Sequence, residues 1–261
     1  METLRKWGAS PFQIAVLHGG PGAKGDMAPV ARELSKEHGV LEPMQNADTI
    51  DGLVIELADV LDSHASKPVV LIGHSWGAWL AWIFAARHPH SVKKLILVGS
   101  GPFERRYVPM IEETRVSRLT GEEREDFLAV IKRSYKSSPA EKARIYEKFD
   151  DILIKTDNFD PIKEESKEAG FDFAQYDDIW PEAAELRLSG ALLDIGRGIH
   201  CPVTAIHGDY DPHPADGVKI PLSRILQKFK LILLKDCGHS PWRERAAREE
   251  FYTVLRSEIA G

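Results

Sequence analysis

A chain of 261 residues, 43% hydrophobic and 28% charged, carries enough apolar material for a packed core, which excludes both global disorder and a disulfide-stapled miniprotein. Its net charge of −6 and pI near 5.9 argue against a general nucleic-acid or anionic-membrane footprint. Two cysteines, Cys201 and Cys237, supply no disulfide framework, the first dozen residues lack the apolar stretch of a signal peptide, and the apolar run at 79–86 is far short of a membrane span. The setting expected is therefore cytoplasmic.

Short apolar runs alternate with amphipathic stretches along the chain, which predicts βαβ units and an α/β fold with a mostly parallel central sheet flanked by helices. Strands are expected at 13–17, 69–72, 94–98, 203–206 and 231–234, with a weaker one at 39–41. They are leucine-rich or β-branched and do not alternate, as suits strands covered on both faces. Helices are expected at 27–37, 49–63, 76–87, 221–229 and 241–259. Between about 101 and 199 the alternation stops. Helix signals continue there, among them Thr120-x-x-Glu123 and Ser138-Pro-x-Glu141, which read as capping boxes, but no strand signal appears. The chain thus divides into a core, 1–100 and 200–261, and a helical insertion, 101–199. Residues 101–195 hold 15 Lys/Arg against 22 Asp/Glu, so the insertion carries all of the net negative charge.

Four motifs carry chemistry. Gly73-His74-Ser75-Trp76-Gly77 follows one expected strand and opens an apolar helix. A nucleophilic serine that protrudes from a sharp strand-to-helix turn needs small residues two before and two after it, so that neighbouring backbone can approach. His18-Gly19-Gly20-Pro21-Gly22 follows another strand and can aim a backbone N–H at a developing oxyanion. It lacks the spacing of a phosphate-binding loop; that reading and a plain turn stay as weaker alternatives. Gly208-Asp209-Tyr210-Asp211-Pro212 puts a carboxylate just past a strand, with Asp211 preferred over Asp209 as the partner of an imidazole. Cys237-Gly238-His239-Ser240-Pro241-Trp242 offers that imidazole. The nearby set His207, Asp209, Asp211 and His213 lacks helical ligand spacing, so no metal is expected.

Taken in order, these motifs resemble the α/β-hydrolase superfamily, with a distant similarity to the proline iminopeptidase group in HGGPG followed by a Ser-Trp-Gly elbow. The resemblance runs from Gln13 to the C-terminus apart from the insertion, which sits where these enzymes carry a helical lid. It implies a catalytic triad of Ser75, His239 and Asp211, an oxyanion hole from the backbone N–H groups of Gly20 and Trp76, and no metal or organic cofactor. Glu104 stands near an alternative family position for the acid. The sequence departs from the family at its start, where the opening antiparallel hairpin is shortened or missing. It also departs at Val40-Leu41-Glu42-Pro43-Met44-Gln45, which lacks an Asp-x-Arg-Gly-x-Gly-x-Ser-like stretch.

The expected function is a serine hydrolase cleaving a small carboxylic ester or thioester through an acyl-enzyme on Ser75, its partner a small-molecule acyl substrate. Insertion aromatics (Phe103, Tyr107, Phe171, Phe173, Tyr176, Trp180) are candidate pocket walls. Two enzymatic alternatives remain: an aminopeptidase whose acidic stretch 157–185 holds a substrate ammonium, and a non-hydrolytic or carbon–carbon-cleaving member of the superfamily. A binding protein on a retired hydrolase scaffold is the alternative from another class.

Overall fold

The computed structural model describes residues 2–134, 137–162 and 170–261. Seven strands form one sheet: β1 (Leu4–Trp7), β2 (Phe12–Leu17), β3 (Gly39–Pro43), β4 (Val69–His74), β5 (Val92–Val98), β6 (Val203–Gly208) and β7 (Phe229–Leu234). Their order is β1-β3-β2-β4-β5-β6-β7, and every pairing is parallel except β1 with β3. All six expected strands are present. The seventh, β1, reads Leu-Arg-Lys-Trp and offers no apolar run; its place at the sheet edge, with one side unpaired, explains why charged residues are tolerated there. Among the described strands, β1 is the one that runs antiparallel to its neighbour.

Successive residues of the central strands feed two different cores. Ala15, Leu17, Leu71, Leu95 and Leu97 face one layer with Leu57, Trp79, Trp82 and Phe84, while Ile14, Val16, Val70, Ile72, Ile96 and Val98 face the other with Met27, Leu34, Phe251 and Leu255. This two-sided burial is the reason the strands show no alternation in sequence.

The helices are α1 (Ala28–Leu34), α2 (Ile50–His64), α3 (Trp76–Arg87), α4 (Val108–Ser117), α5 (Gly121–Ser134), α6 (Pro139–Asp157), α7 (Phe173–Ser189), α8 (Ala191–Ile195), α9 (Asp216–Ile225) and α10 (Arg248–Ala260). Helix α3 is buried over ten consecutive residues, Trp76 to Ala85, because the sheet lies on one side and other helices on the rest. The stretch between β5 and β6 holds α4 to α8. Ser138 makes the full reciprocal capping box with Glu141. Thr120 makes half of one, its N–H and hydroxyl both donating to Glu123 Oε2.

Two expected helices need correction. The one expected at 221–229 runs instead from Asp216 to Ile225, with Pro221 inside it, and residue 229 already starts β7. The one expected at 241–259 is broken. A 3₁₀ turn covers Pro241–Arg243, then Glu244 is extended, and α10 starts at Arg248. The break has a physical cause: Glu244 is fully buried and its carboxylate is taken up by backbone N–H groups of a different segment, described below.

Candidate active site

Ser75 is the single residue between β4 and α3, with φ 51° and ψ −113°. A positive φ in a non-glycine residue costs of order 1–3 kcal/mol and must be imposed by its surroundings. Here the Ser75 N–H donates to the Val98 carbonyl on β5 at 2.9 Å. The flanking glycines are explained by close approach. A Cβ on Gly73 would stand 2.1 Å from the Gly77 oxygen, and one on Gly77 would stand 2.4 Å from the carbonyl oxygens of both Leu17 and His18 on the next strand. The motif spacing therefore records where strand, turn and helix touch.

Asp211 follows β6 and its side chain is sealed from solvent. Its Oδ2 accepts from His239 Nδ1 at 2.9 Å, and its Oδ1 accepts from the His213 backbone N–H at 2.9 Å and the His213 Nδ1 at 2.8 Å. The His213 ring stacks on His239 with centroids 4.4 Å apart. His207 Nε2 lies 3.5 Å from Oδ2 and donates to the His213 carbonyl at 2.7 Å. Burial works against a charge on Asp211, yet the facing His239, His213 and His207 hold its carboxyl well below the usual carboxylate range. Of the three carboxylates the sequence offers, Asp211 is the one bonded to His239. Asp209 is exposed and accepts from the Cys237 N–H, and Glu104 pairs with Arg106 and Arg224. Asp211, His213 and His239 also offer ligand atoms within 4.8 Å of one another. The Nδ1 atoms of both rings already donate to the carboxylate, so a cation bound through them would have to displace the Asp211–His239 bond.

Several residues that the sequence reading did not single out hold His239 in position. Gly99, just past β5, has φ +52°; a Cβ there would stand 2.6 Å from the His239 oxygen, 3.3 Å from its Nδ1 and 3.4 Å from Asp211 Oδ2. A bare backbone at the end of β5 thus leaves room for the β7 loop to reach across towards β4. His74 Nδ1 donates to Asp26 Oδ2 at 2.9 Å, and its Nε2 faces the His239 carbonyl at 3.0 Å. Burial works against the charge of Asp26, but the His74 hydrogen bond and neighbouring cationic groups hold its carboxyl below the ordinary value. On the other side, the His239 N–H donates to the Asp157 carbonyl, the last residue of α6, at 2.7 Å. The Asp157 carboxylate is gripped by Arg115 through Nε and a terminal nitrogen at 2.8 and 2.5 Å. Glu244 clamps the same junction, accepting from the N–H groups of Gly238, Phe159 and Asp160 at 2.8, 2.8 and 2.9 Å. No local sequence signal marks these roles, because each joins segments far apart in the chain.

Gly20 has φ +40° and is covered by Phe171, whose Cε2 would stand 2.8 Å from a Cβ there. The buried His18 ring faces the carbonyls of Gly19 and Met44 and ties this loop to the end of β3; burial lowers its pKa. Trp76 occupies the first position of α3, where backbone N–H groups lack intrahelical partners. Phe171, Tyr176, Trp180 and Trp79 form a continuous row, with successive centroids 5.9, 5.5 and 5.9 Å apart. Phe103 and Tyr107, expected as pocket walls, are instead buried; Phe103 packs edge-on against Trp82 in the core.

The sequence profile of the alpha/beta hydrolase family matches residues 15–251. The chain belongs to the alpha/beta hydrolase family. Among curated proteins, epoxide hydrolase 4 of Mus musculus is 39% identical over 55 residues, a stretch that is 21% of this chain and 15% of that relative. Among solved structures, VinJ superposes with a TM-score of 0.73 at 18% identity over 98% of this chain and 94% of that one. The proline iminopeptidase of Mycobacterium smegmatis superposes with a TM-score of 0.69 at 18% identity, over 98% and 93%. At such identities the structural likeness speaks for the alpha/beta hydrolase fold. Among the described residues, no helix is long and apolar enough to cross a membrane.

Proposed function

We propose that this alpha/beta hydrolase cleaves a small carboxylic ester or thioester through an acyl-enzyme on Ser75. The observation that carries the reading is the 2.9 Å hydrogen bond from His239 Nδ1 to the buried, ionised Asp211, on the same sheet edge as the strained Ser75 turn. In this reading Ser75 Oγ attacks the acyl carbon while His239 Nε2 takes its proton; Asp211 holds the Nδ1–H tautomer and stabilises the imidazolium. The carbonyl oxygen becomes an oxyanion facing the backbone N–H groups of Trp76 and Gly20, each worth about 3–4 kcal/mol. His239 returns the proton to the departing alcohol or thiol. It then takes a proton from water, which attacks the acyl-enzyme, and gives that proton back to Ser75 Oγ as the acid leaves. The insertion 101–199 serves as the lid over this edge.

Five described acids of the stretch 157–185 are already engaged, which gives little support to the aminopeptidase alternative. Asp157, Asp160 and Asp177 are paired with Arg115, Arg245 and Lys142; Asp172 caps α7, and Glu182 accepts from the Ile50 N–H. The test is fluorophosphonate labelling with a panel of p-nitrophenyl esters, acetyl to decanoyl, beside prolyl-, alanyl- and leucyl-p-nitroanilide. Labelling and ester turnover that vanish in Ser75→Ala are expected, with silent anilides. A folded protein that does not label, or anilide turnover above ester turnover, overturns the reading.

A further inference from the structure

Arg187, on α7, is buried at 7% exposure. Its guanidinium carbon lies 5.1 Å from the ring centroid of Trp79 and 5.8 Å from that of Trp180, and these two indoles are stacked at an interplanar angle of 6°. Its Nε is sealed from solvent and has no hydrogen-bond partner, and among the described residues no carboxylate pairs with it. Burial pushes the guanidinium below its ordinary pKa, but an arginine stays protonated. Other inward-facing arginines are served differently: Arg115 forks onto Asp157, Arg118 donates to the carbonyls of Thr156 and Tyr210, and Arg243 faces Asp26. Stacking on aromatic faces compensates part of the lost hydration, but it leaves the Nε–H donor unused. A buried, permanent cation with an unpaired Nε–H offers a carboxylate oxygen a charge-assisted hydrogen bond.

Its location ties it to the candidate active site. Trp79 lies in the first turn of α3, the helix that Ser75 opens. The Trp79 indole donates to the Gly101 carbonyl, two residues beyond Gly99. The aromatic row then leads from Trp180 through Tyr176 to Phe171, which covers Gly20. The two indoles on which the guanidinium lies thus belong to an aromatic row whose other end covers the proposed oxyanion loop.

We propose that Arg187 binds a free carboxylate of the substrate, so that the preferred ester or thioester carries a second, unesterified carboxylate several bonds from the scissile carbonyl. This rests on the serine-hydrolase reading for its turnover arm but not for its binding arm. The carboxylate can belong to the acyl or the leaving half, and two substrate pairs distinguish these. Mono-p-nitrophenyl adipate against p-nitrophenyl hexanoate tests the acyl side; 4-(hexanoyloxy)benzoate against phenyl hexanoate tests the leaving side. In one pair, the carboxylate-bearing ester is expected to have at least a tenfold higher kcat/KM, expressed in KM. Arg187→Gln should collapse that ratio towards one, and Arg187→Lys should restore part of it, as a point charge without the planar fork. In parallel, adipate titrated into the Ser75→Ala protein should perturb the tryptophan fluorescence of Trp79 and Trp180, and hexanamide should not. Ester turnover without preference in either pair, and without adipate binding, overturns the proposal while the hydrolase reading stands. Adipate binding with no ester turnover leaves the site standing and overturns that reading. If Arg187→Gln does not fold, the wild-type ratios and the titration decide alone.

Discussion

Gly99 illustrates how much at the residue scale depends on a missing atom. With φ at +52° and His239 lying where a side chain would be, Gly99→Ala must push the His239 loop away from the end of β5. A displacement of about 1 Å is enough to cost about 100-fold in rate. The expected result is a kcat loss of that size with KM little changed, read by ester kinetics beside a melting curve showing that the fold survives. The proposed catalytic side chains were the legible part of the candidate site: Ser75, Asp211 and His239 each sit in a short motif placed by a strand end. The preference for Asp211 over Asp209 and Glu104 agrees with the hydrogen bonds found. Their supports were not legible. His74, Asp26, Gly99 and Asp157 act on His239 from four separate segments, and one-dimensional spacing contains no record of which strand ends become neighbours. Arg187 was hidden for another reason. In sequence it is one charge on an amphipathic helix, and its burial against two indoles exists only once α7 lies on α3.

At the scale of elements, strands and helices were read correctly where a single face or pair of faces dictates the pattern. Misreadings occurred where a long-range contact overrides a local rule. Pro221 looked like a first-turn proline, yet α9 begins five residues earlier; Pro241 does open a turn, but Glu244 leaves it to serve the N–H groups of Phe159, Asp160 and Gly238. Helix α3 crosses closely over the end of β2, because Gly77 meets the carbonyl oxygens of Leu17 and His18. Gly77→Ala is therefore expected to destabilise the protein by about 3 kcal/mol through overpacking. The corresponding fall in Tm is roughly 10 °C by calorimetry. A change of less than 2 °C would mean that helix and strand can separate cheaply, and that the spacing of the motif has some other origin.

For the whole molecule, Glu258 is the clearest electrostatic tie. From α10 it accepts from Thr204 on β6 and pairs with Lys94 on β5 and Lys230 on β7, so three strands are joined to the last helix. Burial opposes its charge, but these partners lower its pKa to about 2. A depressed carboxylate stabilises the fold above its unfolded value near 4.5 and loses that contribution as pH falls through the folded value. Allowing for solvent screening at the exposed Lys230, the effect is about 2 kcal/mol at neutral pH. Glu258→Gln should lower Tm at pH 7, and the gap to the wild type should narrow as pH drops from 4.5 towards 2; a gap independent of pH would contradict this account. The bond from the Asp157 carbonyl to the His239 N–H has a different kind of consequence. The inserted helices are not an appendage that divergence, or an engineer, can trade freely. A chimera that borrows its insertion from another family member acquires a new substrate surface and a new footing for its histidine in one stroke. Unless the transplanted segment delivers a carbonyl to that same point, altered selectivity arrives together with lost rate.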